Sequence, residues 1–114
     1  MEIENKVRNI LLELGVPCNV QGYRYIKQAV MLMLYDNFNN CITKELYPKI
    51  AKMNDTTSNR VERSIRHAIE TTFKNIDTDV AKKYFGNSVN PNNGKPCNSQ
   101  FIATIVEYIK DMEI

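Results

Sequence analysis

The 114-residue chain has no tryptophan, a single histidine, three cysteines, four glycines and four prolines. Each scarcity removes a class of function. Cys18, Cys41 and Cys97 are odd in number and far apart, with no Cys-x-x-Cys pair, so a disulfide framework is not expected and a reducing cytoplasm is the default location. They read as three small thiols, buried or half-buried. A zinc site would need about four ligands at motif spacing, and His67 has no cysteine or second histidine within a turn or two of it. No serine or cysteine nucleophile with a supporting carboxylate can be set beside His67, so an enzyme is poorly supported and no catalytic residue is assigned. Gly15, Gly22, Gly86 and Gly94 are scattered and form no phosphate-cradling loop, so no nucleotide or other cofactor is expected. The longest apolar run, Ala29 to Tyr35, is far too short to span a bilayer, and Met1 to Arg8 has no apolar signal core. The expectation is a protein neither secreted by a classical signal nor embedded in a membrane.

With 43% apolar and 25% charged residues, the chain has the balance of one soluble domain with one core. Its net charge of +2 is too small to name a partner. Periodicity is more informative. Ile3, Val7, Ile10, Leu11 and Leu14 recur at helical spacing before Gly15 and Pro17 stop the helix. A second helix from Gly22 or Tyr23 carries Tyr23, Ile26, Ala29, Val30, Met33, Leu34 and Phe38, with apolar residues on its other faces, and reads as the central, mostly buried helix. Pro48 forbids a continuous helix through Tyr47 and opens a short one to about Met53. After the turn cluster Asn54 to Thr57, a helix runs from about Thr57 to Lys74 with Val61, Ile65, Ala68, Ile69 and Phe73 as its buried stripe. Asp77 to Asp79 caps a short helix holding Val80, Ala81, Tyr84 and Phe85, closed by Gly86. Asn87 to Cys97 is one long loop. Asn98 or Ser99 caps a last helix in which Phe101, Ile102, Ile105, Val106, Ile109 and Met112 face the core. No strand or hairpin signal appears, so the fold is expected to be all-α, with about six helices.

Two helices joined by about four turn residues form a helix-turn-helix candidate. Such units place a small residue in the first helix, a residue tolerant of positive φ four positions later, and a β-branched residue about ten positions after the small one; Ala51, Asp55 and Val61 have that spacing. At about 100° per residue, Arg60, Arg63, His67 and Lys74 fall opposite the apolar face, Asn59 and Glu70 border them, and Glu62 and Arg66 lie on the flanks. A recognition helix leads into the major groove with its N-terminal turns, so Asn59, Arg60, Glu62 and Arg63 are candidates for reading base edges. Arginine can donate two bonds to guanine, and glutamate can accept from cytosine N4. Arg66, His67 and Lys74 lie deeper along the helix, where DNA-backbone contacts are expected. The plainer alternative is a solvated face in which Glu62 and Arg66 form an i,i+4 ion pair. An RNA partner is less well supported, because the tyrosines fall mostly on core stripes and leave no exposed stacking platform.

Five collinear blocks resemble one known family. They are Gly15-Val16-Pro17; Gly22-Tyr23-x-Tyr25; Ile42-Thr43-Lys44-x-Leu46-Tyr47-Pro48-x-Ile50-Ala51-Lys52; Thr56-Thr57-x-x-Arg60-Val61-Glu62-Arg63-x-Ile65-Arg66-His67-Ala68-Ile69-Glu70; and Lys95-Pro96-x-Asn98-Ser99-x-Phe101-Ile102-Ala103. Together they resemble the C-terminal effector domain of the sporulation-initiation, or stage-zero, response regulator family of Firmicutes. The resemblance implies a six-helix DNA-binding domain that reads a short asymmetric box containing a C-G step, with Arg60, Glu62 and Arg63 at the bases and Arg66 and His67 near the backbone. It also implies head-to-tail pairing on tandem boxes. A contact with the RNA polymerase sigma subunit is implied within about Ile76 to Asn87, where Asp79, Lys82 and Lys83 are the candidate residues. Asn75 to Lys83 and the Asn90 to Gly94 loop depart most from the family pattern. The phosphorylated receiver domain that normally precedes the effector has no counterpart here, so the chain reads as an excised effector domain or a divergent protein regulated differently.

The expected function is therefore a sequence-specific, double-stranded-DNA-binding transcription regulator. The alternative is a protein-interaction module of the same fold that has lost specific DNA binding. Charge placement favours a protein that reads sequence over one that coats DNA indiscriminately: Thr43 to Lys74 holds seven basic and four acidic residues, a net +3, while the other eight bases and nine acids leave −1.

Overall fold

The computed structural model describes residues 2–36, 42–86 and 95–112. Six α-helices account for most of them: α1 Glu2–Leu14, α2 Gln21–Asp36, α3 Tyr47–Met53, α4 Ser58–Asn75, α5 Thr78–Phe85 and α6 Asn98–Met112. No strand occurs among the described residues, as the sequence periodicity requires. No helix among them is long and apolar enough to cross a membrane. Phe38 and most of the Asn87 to Cys97 loop lie outside the described residues.

The apolar stripes of all six helices meet in one core, to which α5 adds Tyr84 and Phe85. Val7, Leu11 and Leu14 of α1, Ile26, Ala29 and Val30 of α2, Ile50 of α3, Val61, Ile65 and Ile69 of α4, and Phe101, Ile105 and Ile109 of α6 are buried together. At roughly 1.5–3 kcal/mol per fully buried aliphatic or aromatic side chain, this shared burial is what holds α4 in place. Toward the C-terminal end of α4, the Phe73 ring meets Phe85 of α5 edge-on at 5.5 Å and Phe101 of α6 at 6.2 Å.

Two glycines act through their lack of a side chain. Gly15 ends α1 at φ 88°, a left-handed conformation that costs glycine little, and its N–H and that of Val16 both donate to the Leu11 carbonyl at 3.1 and 3.0 Å. Gly22 lies where α2 crosses α4. A methyl group there would overlap the Ser64 carbonyl oxygen and stand 2.6 Å from Ala68 Cβ.

Several expectations require correction. Pro48 does not break the chain out of helical form at Tyr47. A π-helical turn, Ile42–Leu46, runs straight into α3, with Leu46 itself in right-handed helical geometry and Pro48 in the first turn. The wider turn and the N-terminal position both tolerate a residue without an N–H. Phe73 is only half-buried, and Thr72 takes the deep position, its hydroxyl donating to the Ala68 carbonyl at 2.8 Å. Met112 is exposed because it lies in the final turn of α6, beyond the packed stripe. Cys18 and Cys97 are also exposed. Each lies on a connection that runs over the surface, where the usual burial of small thiols does not apply; Cys41 lies outside the described residues.

Candidate nucleic-acid interface

The helix-turn-helix consists of α3, the turn Asn54–Thr57 and α4. Asp55 takes φ 54°, and it is the only non-glycine residue at positive φ among those described. Asparagine and aspartate tolerate that region better than most residues, which is why the turn can do without glycine. Around it, the Thr56 N–H donates to the Ala51 carbonyl at 2.9 Å. The Asn54 side-chain amide donates both to the Ile50 carbonyl, 2.8 Å, and to Gln28 Oε1 of α2, 2.7 Å. Thr57 caps α4, its hydroxyl oxygen accepting from the Arg60 N–H at 3.2 Å.

Val61, Ile65, Ala68 and Ile69 turn inward from α4. Asn59, Arg60, Arg63, His67 and Lys74 are exposed. Arg60, Arg63, His67 and Lys74 project within about 60° of one another around the axis, since each residue advances about 100°. From Arg60 to Lys74 the row is about 21 Å long at 1.5 Å per residue. No acidic residue occupies the first turn of α4, so the positive end of its dipole is left uncompensated there.

Glu62 and Arg66 do not simply join that row. The Arg66 guanidinium donates to both Glu62 carboxylate oxygens, at 2.9 and 3.2 Å, so the ion pair expected from their i,i+4 spacing is formed. Glu70, at the border of the face, pairs with Lys95 at 3.5 Å. The 95–99 segment and the start of α6 thus close one side of α4, leaving a cleft between them lined by Tyr47, Glu62, Arg66, Lys95, Cys97 and Asn98, among others. The Cys97 thiol there is drawn below its ordinary pKa by the Ser99 hydroxyl, 3.3 Å away, and by the Gln100 N–H.

Asn98 does something its sequence position did not suggest. It is the first residue of α6 and nearly buried, and its side-chain amide leaves its own helix end. It donates to the Tyr47 hydroxyl of α3 at 3.0 Å and to the Glu62 carbonyl of α4 at 3.1 Å. Asparagine before an apolar run reads as a cap, and only the tertiary arrangement shows the cross-link. Burial raises the Tyr47 phenol above its ordinary pKa, and the Asn98 bond works against that shift.

The second candidate region lies on α5. Asp77 caps that helix, accepting from the Asp79 and Val80 N–H groups at 2.8 and 3.4 Å. Asp79, Lys82 and Lys83 are all exposed. Lys83, however, is engaged within the fold: its ammonium lies 3.0 Å from the Glu13 carboxylate of α1 and 5.2 Å from the centre of the Tyr84 ring. The Tyr84 hydroxyl also donates to Glu13. That hydrogen bond first, and the Lys83 bond second, hold the Glu13 carboxyl below the usual range. Desolvation, with Glu13 as acceptor, pushes the Tyr84 phenol well up.

The family model described as "Sporulation initiation factor Spo0A C terminal" matches residues 7–109. That span runs from the first buried valine of α1 to the last buried isoleucine of α6 and includes the whole helix-turn-helix. The chain belongs to this family, the helical DNA-binding effector domains of sporulation regulators.

Proposed function

We propose that the protein is a sequence-specific transcription regulator that reads double-stranded DNA by laying α4 in the major groove. The observation that carries this reading is the row of exposed Arg60, Arg63, His67 and Lys74 on a helix whose other face is locked into the core and whose N-terminus follows a tight turn at Asp55. Asn59, Arg60, Glu62 and Arg63 lie within the first two turns, the part of a recognition helix that leads into the groove. There Arg60 and Arg63 would donate to guanine, Glu62 would accept from cytosine N4, and Asn59 would reach a neighbouring base or phosphate. The major groove is about 12 Å wide. Because the row is nearly twice that length, Lys74 belongs at a flanking phosphate, with Arg66 and His67 at backbone between.

Glu62 is held by Arg66 in the free protein, so reading cytosine requires their exchange: Arg66 turns to a phosphate as the Glu62 carboxylate turns to the base. On α5, Lys83 is occupied by Glu13, which leaves Asp79 and Lys82 as the residues best placed to meet the polymerase sigma subunit. A doubly substituted Asp79→Ala, Lys82→Ala protein that binds DNA normally and still activates transcription fully would remove that contact. Head-to-tail pairing is tested by titrating one box against two tandem boxes; equal affinity per box would argue against it.

Selection of bound duplexes from a random pool tests the main reading. A common short box should emerge, and Arg63→Ala protein should recover it with one position relaxed. A wild-type pool with no shared sequence, together with no gel shift on random duplex at low salt, would favour a protein-interaction module instead, since helix-turn-helix proteins retain nonspecific affinity under those conditions.

A further inference from the structure

We infer that Asn98 is a specificity-positioning residue: from the start of α6 it sets the reading end of α4 against α3 by bonding the Glu62 carbonyl and the Tyr47 hydroxyl at once. For its DNA consequence the inference rests on the major-groove reading proposed for α4. Both bonds are donated by one side-chain nitrogen, 3.0 Å to Tyr47 and 3.1 Å to Glu62, and Asn98 and Tyr47 are both almost fully buried. An amide nitrogen carries two hydrogens, so this one is fully used. Within a helix the Glu62 carbonyl also takes the N–H of Arg66, four residues on, and Asn98 occupies the second lone pair.

The geometry has a particular consequence. Glu62 is the α4 residue whose backbone is held by α6 and whose side chain is held by Arg66. Asn98 therefore acts on the turn that carries Arg60, Glu62 and Arg63, and its two hydrogen bonds reach neither His67 nor Lys74. Its loss should be felt at the bases and not at the distal phosphate contact. The other ties between 95–99 and α4, such as Lys95 to Glu70, lie a further two turns along and cannot replace it.

Asn98→Ala removes both bonds, and Tyr47→Phe removes one while keeping the ring, so the second variant remains informative if the first folds poorly. Two readouts are needed. Amide hydrogen exchange on DNA-free protein should show faster exchange at residues 60–66 in Asn98→Ala, a smaller effect in Tyr47→Phe, and unchanged exchange at residues 70–75. On a duplex recovered from the wild-type selection, the ratio of specific to nonspecific affinity should fall about three- to tenfold for Asn98→Ala, the scale of one or two lost hydrogen bonds. Nonspecific affinity and its salt slope should not change. Asn98→Asp, which keeps the size but sets a carboxylate against the Glu62 carbonyl, should not rescue either readout. Exchange that rises evenly over all helices, or selectivity equal to wild type in Asn98→Ala, overturns the inference. Should wild-type protein recover no common duplex, the major-groove reading fails, while the exchange pattern still decides whether Asn98 positions the turn.

Discussion

Gly22 of α2 abuts the Ser64 carbonyl of α4, and the two helices cross there so closely that no side chain fits between them. Alanine at position 22 would gain at most about 1 kcal/mol of helix propensity, and less in the first turn of a helix. Against that gain stands an overlap with backbone, which cannot move aside as a flexible side chain can, and overpacking of this kind costs about 1–3 kcal/mol. Gly22→Ala should therefore be destabilised, with a lower denaturation midpoint and an unchanged m-value. Because the relieving movement displaces α4, DNA affinity should fall as well. A variant as stable as the parent would show that the crossing is looser than described.

Arg63→Ala and Lys74→Ala should differ in kind. On the major-groove reading proposed for α4, losing Arg63 would remove a bidentate base contact, costing about 1–3 kcal/mol on the selected box and relaxing preference at one base pair. Losing Lys74 should weaken all duplexes alike and lower the magnitude of the salt slope by about one. Titrations at several salt concentrations on cognate and scrambled duplexes separate the two. Equal loss of affinity on both duplexes for Arg63→Ala would move that residue to the backbone.

Most of the fold was legible because its helices bury simple stripes. Val61, Ile65, Ala68 and Ile69 at 3.6-residue spacing placed α4, and Asp55, four residues beyond Ala51, marked the turn that its positive φ requires. The site was legible in part. Exposure of Arg60, Arg63 and His67 follows from angle alone, and so does the pairing of Glu62 with Arg66. Features set by distant partners were not. Asn98 has the local appearance of a cap, and its bonds to Tyr47 and Glu62 exist only once α3, α4 and α6 have docked. Thr72 carries no apolar signal, and it is buried at little cost because its hydroxyl is satisfied within its own helix. The π turn before Pro48 has no periodic signature over five residues.

Asp55 gives a second stability prediction. Its φ of 54° suits glycine better than any residue with a Cβ. Asp55→Gly should be neutral or raise stability by a few tenths of a kcal/mol, and a β-branched residue such as valine should cost about 1–2 kcal/mol. Thermal unfolding of the two variants checks the order. An Asp55→Val protein as stable as the parent would mean that the turn can adopt another conformation.

The Glu13, Lys83 and Tyr84 cluster makes stability depend on pH at both ends. The Glu13 carboxyl is held below its ordinary pKa, chiefly by the Tyr84 hydroxyl and then by Lys83, so the folded state releases that proton more readily than the unfolded chain. Its contribution is present above the unfolded carboxylate value, about 4.3, and is lost as pH falls through the lower folded value. Tyr84 runs the other way. Its phenol is pushed up by desolvation and by donation to Glu13, so its contribution is present below about pH 10 and is lost as the unfolded chain begins to ionise above it. Glu13→Gln should flatten the acid limb of the stability profile and weaken the alkaline one, since one acceptor serves both effects. Tyr84→Phe should flatten the alkaline limb and leave the Lys83 share of the acid limb in place. Chemical denaturation of the three proteins between pH 3 and pH 11 would resolve the limbs, and parallel profiles for all three would show that this cluster does not couple α1 to α5.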